Sequence, residues 1–246
     1  MRSYLLVLPV AAGLLLARPV LADDEAPSPK AGLLDQGAAL FDEGKLLATG
    51  GVSEVEGSGG AGLTNWALIS GYGTRDGLGI NAHYTYVGLG DYQLNSMGAA
   101  IGLFDRLELS YAWQAFDTEA VGAALGLGQG YTFHQNIYGA KLKLIGDAVY
   151  DQDSWLPQIA VGVQHKENDR GAVIRAVGGK GSVGTDYYLS ATKLFLAESL
   201  LVDATLRETK ANQIGILGFG GDKHNQYSSQ FEGSLAYLFS RQFAVG

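Results

Sequence analysis

The sequence predicts an all-β protein, an antiparallel up-and-down β-barrel that crosses a membrane. Three observations support this fold class: an export signal at the start, later segments that alternate apolar and polar residues, and short and long connections that fall on opposite ends of the sheet. The chain has 246 residues, 47% of them hydrophobic, with 36 glycines and no cysteine. This composition suits one large domain and excludes disulfide scaffolds, thiolate metal sites and cysteine catalysis.

Residues 1–22 have the organisation of a secretory signal peptide. Arg2 gives a positive start, residues 4–17 form an apolar stretch too short to span a bilayer, and Ala22 ends a small-residue cleavage site. Cleavage there leaves 15 basic and 25 acidic residues, a formal charge of −10 against −8 for the whole chain. Such an acidic exported chain is a poor partner for nucleic acid, because it repels phosphate.

Residues 23–43 are expected to form a periplasmic tail or a short helix. The first part is acidic and contains proline, and residues 31–43 carry leucines that are crudely spaced for one side of a helix. The barrel domain is expected to span residues 44–246. No later segment approaches 18 uninterrupted apolar residues, so any membrane crossing has to be made by strands.

The alternation is clearest over residues 107–116. Leu107, Leu109 and Tyr111 share one parity, and Glu108 and Ser110 share the other. Successive side chains of a strand point to opposite faces, so this segment predicts a ribbon with one apolar and one polar face. Ten strands are expected near residues 44–56, 63–73, 78–87, 92–104, 107–116, 135–146, 156–166, 185–196, 199–210 and 228–239, and an eleventh begins near residue 242.

The connections between these strands differ in length. Those at 74–77, 105–106, 197–198 and 240–241 are short, that at 147–155 is moderate, and those at 117–134, 167–184 and 211–227 are long. In chain order, short and long connections fall on opposite ends of the sheet. Bacterial outer-membrane barrels have this asymmetry, with short periplasmic turns and longer external loops.

A soluble barrel would also alternate, but with its apolar face inward. Export, strand length and loop asymmetry together favour lipid outside, as do aromatic residues near strand ends, which would form interfacial girdles. These aromatic residues are Tyr72, Phe104, Phe116, Tyr131, Phe133, Tyr150, Trp155, Tyr187, Tyr227 and Phe239. Parity alone then predicts the residues that line the lumen: Glu108, Gln114, Lys141, Lys143, Lys166, Asp203, Arg207 and Glu232. These charges could line an aqueous pathway or form salt bridges across a closed barrel.

Six segments carry longer motifs: GGAGLTNWALISGYGTRD (59–76), LFDRLELSYAWQAFDT (103–118), GAALGLGQGYTF (122–133), DAVYDQDSWLPQIAVGVQ (147–164), GTDYYLSATKLFLAESLL (184–201) and ANQIGILGFGGD (211–222). Together they resemble a family of proteobacterial outer-membrane-type proteins, catalogued as a domain of unknown function with the number three thousand and thirty-four. The resemblance implies an exported β-barrel in the outer membrane of a Gram-negative bacterium, and it brings no activity or site residue. Similar proteins continue for several more strands, to about fourteen. The resemblance therefore implies a barrel that is incomplete at its C-terminal end.

No motif predicts an enzyme, a cofactor or a metal site. The four histidines, His83, His134, His165 and His224, lack the spacing of a metal pair, and the chain has no GxSxG elbow. GGKGS at 178–182 lacks the full phosphate-loop pattern and suits an external loop. Asp147, Asp151 and Asp153 begin like a calcium loop but lack its glycine and closing glutamate, so turn chemistry explains them better.

These features predict a passive channel or uptake barrel for small solutes, whose expected partners are outer-membrane lipid and solute. The apolar, glycine-rich loop 117–134 suggests a constriction or lid, or simply a loop packed over the barrel mouth. With the short N-terminal segment, a potential plug, it points to hydrophobic cargo. The alternatives are a structural or adhesive barrel whose long loops bind a partner and, well behind, a barrel enzyme that acts on lipids. The solute, the openness of the lumen and the oligomeric state do not follow from the sequence.

Overall fold

The protein is described here by a computed structural model that covers residues 6–10, 50–71, 75, 77–240 and 243–246. The tail or helix expected at 23–43 lies outside the described residues, as do the first residues of the strand expected at 44–56. No helix in these described ranges is long and apolar enough to cross a membrane.

The architecture is a curled antiparallel sheet, shaped like a half-barrel. The strands are β1 (Leu6–Val10), β2 (Gly60–Ala61), β3 (Thr64–Asn65), β4 (Leu78–Leu89), β5 (Tyr92–Leu103), β6 (Leu107–Asp117), β7 (Thr132–Ile145), β8 (Gln158–Asn168), β9 (Gly179–Gly181), β10 (Val183–Phe195), β11 (Leu200–Thr209), β12 (Phe219–Gly221), β13 (Ser228–Leu238) and β14 (Ala244–Val245). Ten of them form the main sheet in the order β1-β4-β5-β6-β7-β8-β10-β11-β13-β14. Each long strand thus lies beside its neighbour in the chain, and the predicted all-β, up-and-down class is confirmed.

The eight long strands from β4 to β13 lie where alternation predicts them, within a few residues. β14 begins where the eleventh strand was expected. β1 pairs with β4 at the edge of the sheet and falls inside residues 1–22. Cleavage of that segment as a signal peptide remains a prediction.

The strands predicted at 44–56 and 63–73 are wrong over their described residues. Residues 50–71 form a compact loop that contains only β2 and β3 and lies against the concave face of the sheet. We call residues 50–71 the plug. Its glycines break the extended backbone: Gly57 has φ +102° and Gly71 has φ +83°, values that favour glycine.

The outer face of the sheet is apolar, and the inner face, which contacts the plug, is polar. Leu109 is 44% exposed and Phe231 is 78% exposed on the outer face, whereas Glu108 and Lys141 on the inner face are 0% and 1% exposed. A soluble barrel has the opposite arrangement. The inner charges are buried because the plug covers them.

The three long connections gather at one end of the sheet, as predicted, but the two-residue turn between β4 and β5 (residues 90–91) lies at that end as well. At the long-loop end lie α1 (Glu119–Ala124), α2 (Gly171–Ala176) and a 3-10 turn (Gln213–Gly215), all in connections between long strands. Here β9 and β12 pair antiparallel, so the residues predicted as a loop at 178–182 form a strand instead. The short-turn end carries the turn between β5 and β6, that between β10 and β11, and the longer connection between β7 and β8.

Aromatic residues lie near both ends, but not all of them are exposed. Phe104, Tyr150, Trp155 and Phe239 are exposed at the short-turn end, and Tyr187 and Tyr227 towards the other end. Phe133 is buried in an apolar cluster at the long-loop end, and Tyr131 and Phe116 pack against that cluster. Those three residues therefore do not belong to an outward girdle, and Tyr72 lies outside the described residues.

Candidate functional site

The plug is shaped at its tip by the carboxylate of Glu54. The backbone N–H groups of Glu56 and Ser58 donate to the two oxygens of this carboxylate, at 2.5 and 3.1 Å. Gly57 lies between them, and a Cβ there would lie only 3.0 Å from the Ala112 Cβ on β6. The turn thus fixes both acidic side chains of the plug while its backbone approaches the inner face of the eight long strands β4 to β13, which we call the wall.

Glu56 points into a clamp made by two cations on different strands. Its Oε1 is paired with Lys166 Nζ on β8, and its Oε2 accepts a hydrogen bond of 2.8 Å from Arg207 Nη1 on β11. Asp186 Oδ2 on β10 lies 2.7 Å from Lys166 Nζ, and Glu232 Oε1 on β13 accepts from Arg207 Nε at 2.6 Å. The clamp is buried, so its charge-assisted bonds are not shared with bulk water.

A second ion pair, Glu108 on β6 with Lys141 on β7, contacts the plug backbone. Glu108 accepts the N–H groups of Gly59 at 2.9 Å and Ser70 at 2.7 Å. Lys141 Nζ donates to the carbonyl oxygens of Gly59 at 3.0 Å and Leu68 at 2.8 Å, and it lies 3.0 Å from Glu108 Oε2. One buried ion pair therefore binds the plug backbone both at Gly59 and at residues 68–70.

Neutral polar side chains of the wall bind further backbone groups of the plug, at Val55, Asn65 and Ala67. Gln114 Nε2 donates to the Val55 carbonyl at 2.9 Å, and Gln158 Nε2 donates to the Ala67 carbonyl at 2.6 Å. Further bonds join Ser96 to the Val55 carbonyl, Ser190 and Thr205 to the Asn65 carbonyl, the Ala67 N–H to Thr192, and the Trp66 indole N–H to Ser234. Such matching satisfies backbone groups that would otherwise be buried without partners.

The structure places the eight predicted lumen residues on the inner parity of their strands, in different roles. Glu108, Gln114, Lys141, Lys166 and Arg207 contact the plug directly. Asp203 reaches it through Thr192, whose Oγ1 bonds both the Asp203 carboxylate and the Ala67 N–H. Glu232 bonds Arg207. Lys143 lies at the short-turn end, where it pairs with Asp105 at 2.7 Å and Asp147 at 3.8 Å.

Several residues of the site were missed from the sequence. Glu54 and Glu56 were assigned to a strand that does not exist, and Gln164, Asp186 and Tyr188 were not singled out. Gln164 Nε2 donates to Glu54 Oε1 at 3.0 Å, and Tyr188 OH lies 3.2 Å from Ser58 Oγ. The parity of β8 and β10 could have placed these three wall residues inside, since each is an even-numbered position beside a predicted outward residue.

The two plug carboxylates have opposite pKa shifts. Burial, and then the negative charge of Glu56, raise the pKa of Glu54 to about 8, against the opposing effect of Arg207. Burial also disfavours an ionised Glu56, but Lys166 and Arg207 outweigh it and lower the pKa of Glu56 below its ordinary value. At neutral pH, Glu56 is the anion of the pair, which matches its place between two cations.

Apolar residues close the lumen above the plug at the long-loop end. Val55 of the plug packs with Leu94, Phe133, Ile174 and Ile216. The last two belong to connections 169–182 and 210–227, so these loops reach inward. In residues 117–134, by contrast, Leu125 after α1 is 63% exposed, and the contacts with the cluster come from the end of the segment, at Tyr131 and Phe133.

The short-turn end has an open cleft of about 890 Å³ that no plug residue lines. It lies between the β5–β6 turn and the β7–β8 connection, beside Arg106, Lys143 and Tyr150. Asp147 Oδ1 accepts the N–H groups of Val149 and Tyr150, both at 2.9 Å, which is turn chemistry. Within the described ranges, no group of three or more potential ligand residues could hold a metal ion.

The histidines of the described chain make local contacts. His134 Nδ1 lies 2.9 Å from Asp169, and His165 bonds Thr185 at 2.9 Å and lies 3.4 Å from Glu167. The ring nitrogens of His83 have no hydrogen-bond partner among the described residues. These contacts assemble no serine–histidine pair in that part of the chain.

Comparison with known proteins gives one match. A family model described as "Protein of unknown function (DUF3034)" matches residues 49–246, which include the plug and every wall strand that contacts it. A search of the curated proteins and a search of the solved structures each found no match to this chain.

Proposed function

This chain belongs to the DUF3034 family of proteins of unknown function, and we propose that it is an outer-membrane barrel that takes up small solutes and is closed at rest by its own plug. The observation that carries the proposal is the inverted arrangement of the sheet, with an apolar outer face and buried inner charges bonded to residues 50–71. The protein would reach this membrane through its predicted signal peptide.

The outer face supports a lipid environment. The long strands have 10 to 14 residues, enough for a tilted strand to cross the hydrocarbon layer. Tyr84 OH donates to Asn95 at 2.6 Å and Tyr111 OH donates to Asn136 at 2.8 Å, so these polar groups of the outer face bind one another. Such pairing lowers the cost of placing them in an apolar medium.

The inner face supports a closed resting state. Of the two possibilities that the sequence leaves open for the lumen charges, salt bridges across a closed interior fit the plug contacts better than a permanently open aqueous pathway. Passage of a solute then requires the plug to move. Hydrogen bonds and ion pairs hold the plug, and water can replace them when the plug leaves. Reversible binding of the plug is therefore easier than it would be if an apolar core held it.

A disulfide tether between plug and wall tests this proposal. The Ala67 N–H donates to Thr192 Oγ1 at 2.7 Å, so plug and wall are in direct contact at these two positions, and cysteines are introduced there as the tether. The chain has no native cysteine, so no other disulfide competes. In planar bilayers, the oxidised Ala67→Cys/Thr192→Cys protein should be silent and should show current steps after reduction, while Ala67→Cys alone should ignore the reductant. No current in any of these proteins would refute the uptake function.

A structural or adhesive barrel is the second candidate, and the filled lumen favours it. In that case the plug is a permanent core, and the long loops paired through β9 and β12 form the partner surface. The tether would then leave the bilayer silent in both the oxidised and the reduced protein. Loss of partner binding on deletion of residues 211–227, with no current in any variant, would support this alternative.

A further inference from the structure

The geometry points to a carboxylate-binding site in the wall, formed by Lys166 and Arg207, which Glu56 occupies as an internal ligand while the barrel is closed. This inference rests on the proposed uptake function and names its solute class: small organic acids that replace Glu56 when the plug moves.

The site has the form of a two-point carboxylate clamp. Lys166 binds one oxygen of Glu56, and Arg207 binds the other at 2.8 Å. Lys166 is 0% exposed and Arg207 is 4% exposed. Gln164 Oε1 accepts a hydrogen bond of 2.8 Å from the same Arg207 nitrogen that binds Glu56, which orients the guanidinium. Both cations belong to wall strands, so the clamp stays in place when its occupant leaves.

The wall keeps this clamp electrically balanced without the plug. Asp186 lies 2.7 Å from Lys166, and Glu232 accepts from Arg207 at 2.6 Å, which gives two carboxylates for two cations. An incoming monocarboxylate would restore the charge arrangement that Glu56 makes. A dianion would add a further negative charge beside Asp186 and Glu232, so the site should disfavour it. Balanced charge also favours modest affinity, which suits a solute in transit.

The other buried ion pair has a different design. Glu108 and Lys141 both belong to the wall, and they bind backbone groups of the plug rather than a plug charge. When the plug withdraws, Glu108 and Lys141 remain paired with each other. In the Lys166–Arg207 clamp, by contrast, two wall cations bind the charged side chain of a plug residue, Glu56.

The surroundings of Val55 indicate the chemistry of the part of the solute that is not its carboxylate. Val55 is adjacent to Glu56 and packs in the apolar cluster with Ile174 and Ile216. Lys166 Nζ also lies 3.4 Å from the Ile214 carbonyl, so the clamp lies directly beneath that inward-reaching loop. A ligand that replaces the Val55–Glu56 pair would therefore place a carboxylate in the clamp and a compact apolar body in the cluster. Benzoate has these two parts, and benzamide is its neutral counterpart.

The test uses the full chain in detergent, with benzoate and benzamide as probes. Trp113 and Trp155 are replaced by Phe so that Trp66, buried in the plug and bonded to Ser234, reports plug position by fluorescence. In a Glu56→Gln variant, the clamp loses its anionic occupant, and benzoate should act at a concentration at least about tenfold lower than in the parent protein. Benzamide should have no effect at that concentration.

Glu198→Gln is the matched control, because Glu198 is an exposed glutamate in the turn between β10 and β11, at the opposite end of the sheet from the clamp and outside the plug. It should show the parent response to benzoate. Adding Lys166→Met to Glu56→Gln should abolish the enhanced response. If Glu56→Gln does not fold, the inference rests on the parent protein, where benzoate but not benzamide should displace Trp66. Equal effects of benzoate and benzamide would overturn the site.

Bilayer recordings separate this inference from the function on which it rests. If the variants conduct and benzoate blocks their current while benzamide does not, both stand. Current that neither probe affects would overturn the carboxylate site and leave the uptake function in place. Selective benzoate binding in detergent, without current in any variant, would overturn the uptake function and leave the site as a ligand site of another kind.

Discussion

Glu108 and Lys141 are direct cross-strand partners on β6 and β7, 3.0 Å apart, and together they bind four backbone groups of the plug. Both side chains are completely buried, so neither charge has water as an alternative partner. A change to this pair should therefore alter both the stability of the wall and the position of the plug.

Glu108→Gln should destabilise the folded protein by about 3–5 kcal/mol, because it leaves the Lys141 ammonium buried without its counter-ion. Glu108→Gln/Lys141→Met should cost less than the sum of the single changes, since it removes both charges. Urea unfolding of the protein in lipid vesicles measures these free energies. Additive costs would show that the two charges are independent.

Binding of the plug to the wall should weaken as pH rises. The pKa of Glu54 is raised by burial and by Glu56 from 4.5 to about 8, so its contribution to the closed state is complete below about pH 4.5 and is lost as pH passes through about 8. The charged wall groups that act on it are Arg207 and Lys141, and Tyr188 also lies nearby.

Trp66 fluorescence in the Trp113→Phe/Trp155→Phe background should therefore change between about pH 4.5 and pH 8. Glu54→Gln should remove most of this change, because the amide does not titrate. An equal pH response in Glu54→Gln would assign the titration to another group.

Gly57→Ala should loosen the plug and leave the wall folded. The added Cβ would meet Ala112 Cβ at 3.0 Å and the Tyr111 carbonyl oxygen at 3.2 Å, and φ is +102°. Backbone strain of this kind costs about 1–3 kcal/mol. Gly62→Ala is the control, since its φ of +60° is also positive but a Cβ there has nothing within 4 Å.

Proteolysis between residues 50 and 71 should be faster in Gly57→Ala than in Gly62→Ala, while strand content by circular dichroism is equal. Equal cleavage of the two variants would mean that close approach to β6 does not position the plug.

The outer face offers a direct test of the membrane proposal. Leu189→Arg would place a guanidinium on the outer face at the middle residue of β10, which costs about 2–4 kcal/mol at the centre of a bilayer. Insertion into vesicles should fall accordingly. Leu125→Arg, on the exposed loop after α1, should insert normally. If Leu189→Arg inserts as well as Leu125→Arg, the outer face does not meet hydrocarbon.

The wall was predictable from sequence because its signals are local. Alternation over β6 and β11 and the turns at 105–106 and 197–198 depend only on neighbouring residues, and the strands follow them. Parity also gave the inner side of Lys141 and Arg207. What each inner residue contacts depends on the plug, and parity carries no information about that.

The plug was not predictable in the same way. Val52, Val55 and the polar residues between them imitate a short strand, and only distant partners decide otherwise. Glu54 bonds Gln164 across 110 residues of chain, and Ser58 bonds Tyr188 across 130 residues. Lys193 makes a similar contact over a shorter distance in sequence, because the connection after β7 folds back and the ammonium donates to the Asp151 carbonyl. Long-range pairing of this kind leaves no periodic trace in a sequence.

The order of elements along the chain has a consequence for biogenesis. The plug precedes β4 to β13, the strands that it contacts, so during assembly it is the first of these pieces to be available. The inner faces of β6, β8 and β10 can then form their hydrogen bonds to the plug backbone one strand at a time as each is added. Without residues 50–71, buried side chains such as Gln114 and Gln158 would lack these partners, so residues 50–71 would act as an intramolecular template for the strands that follow them.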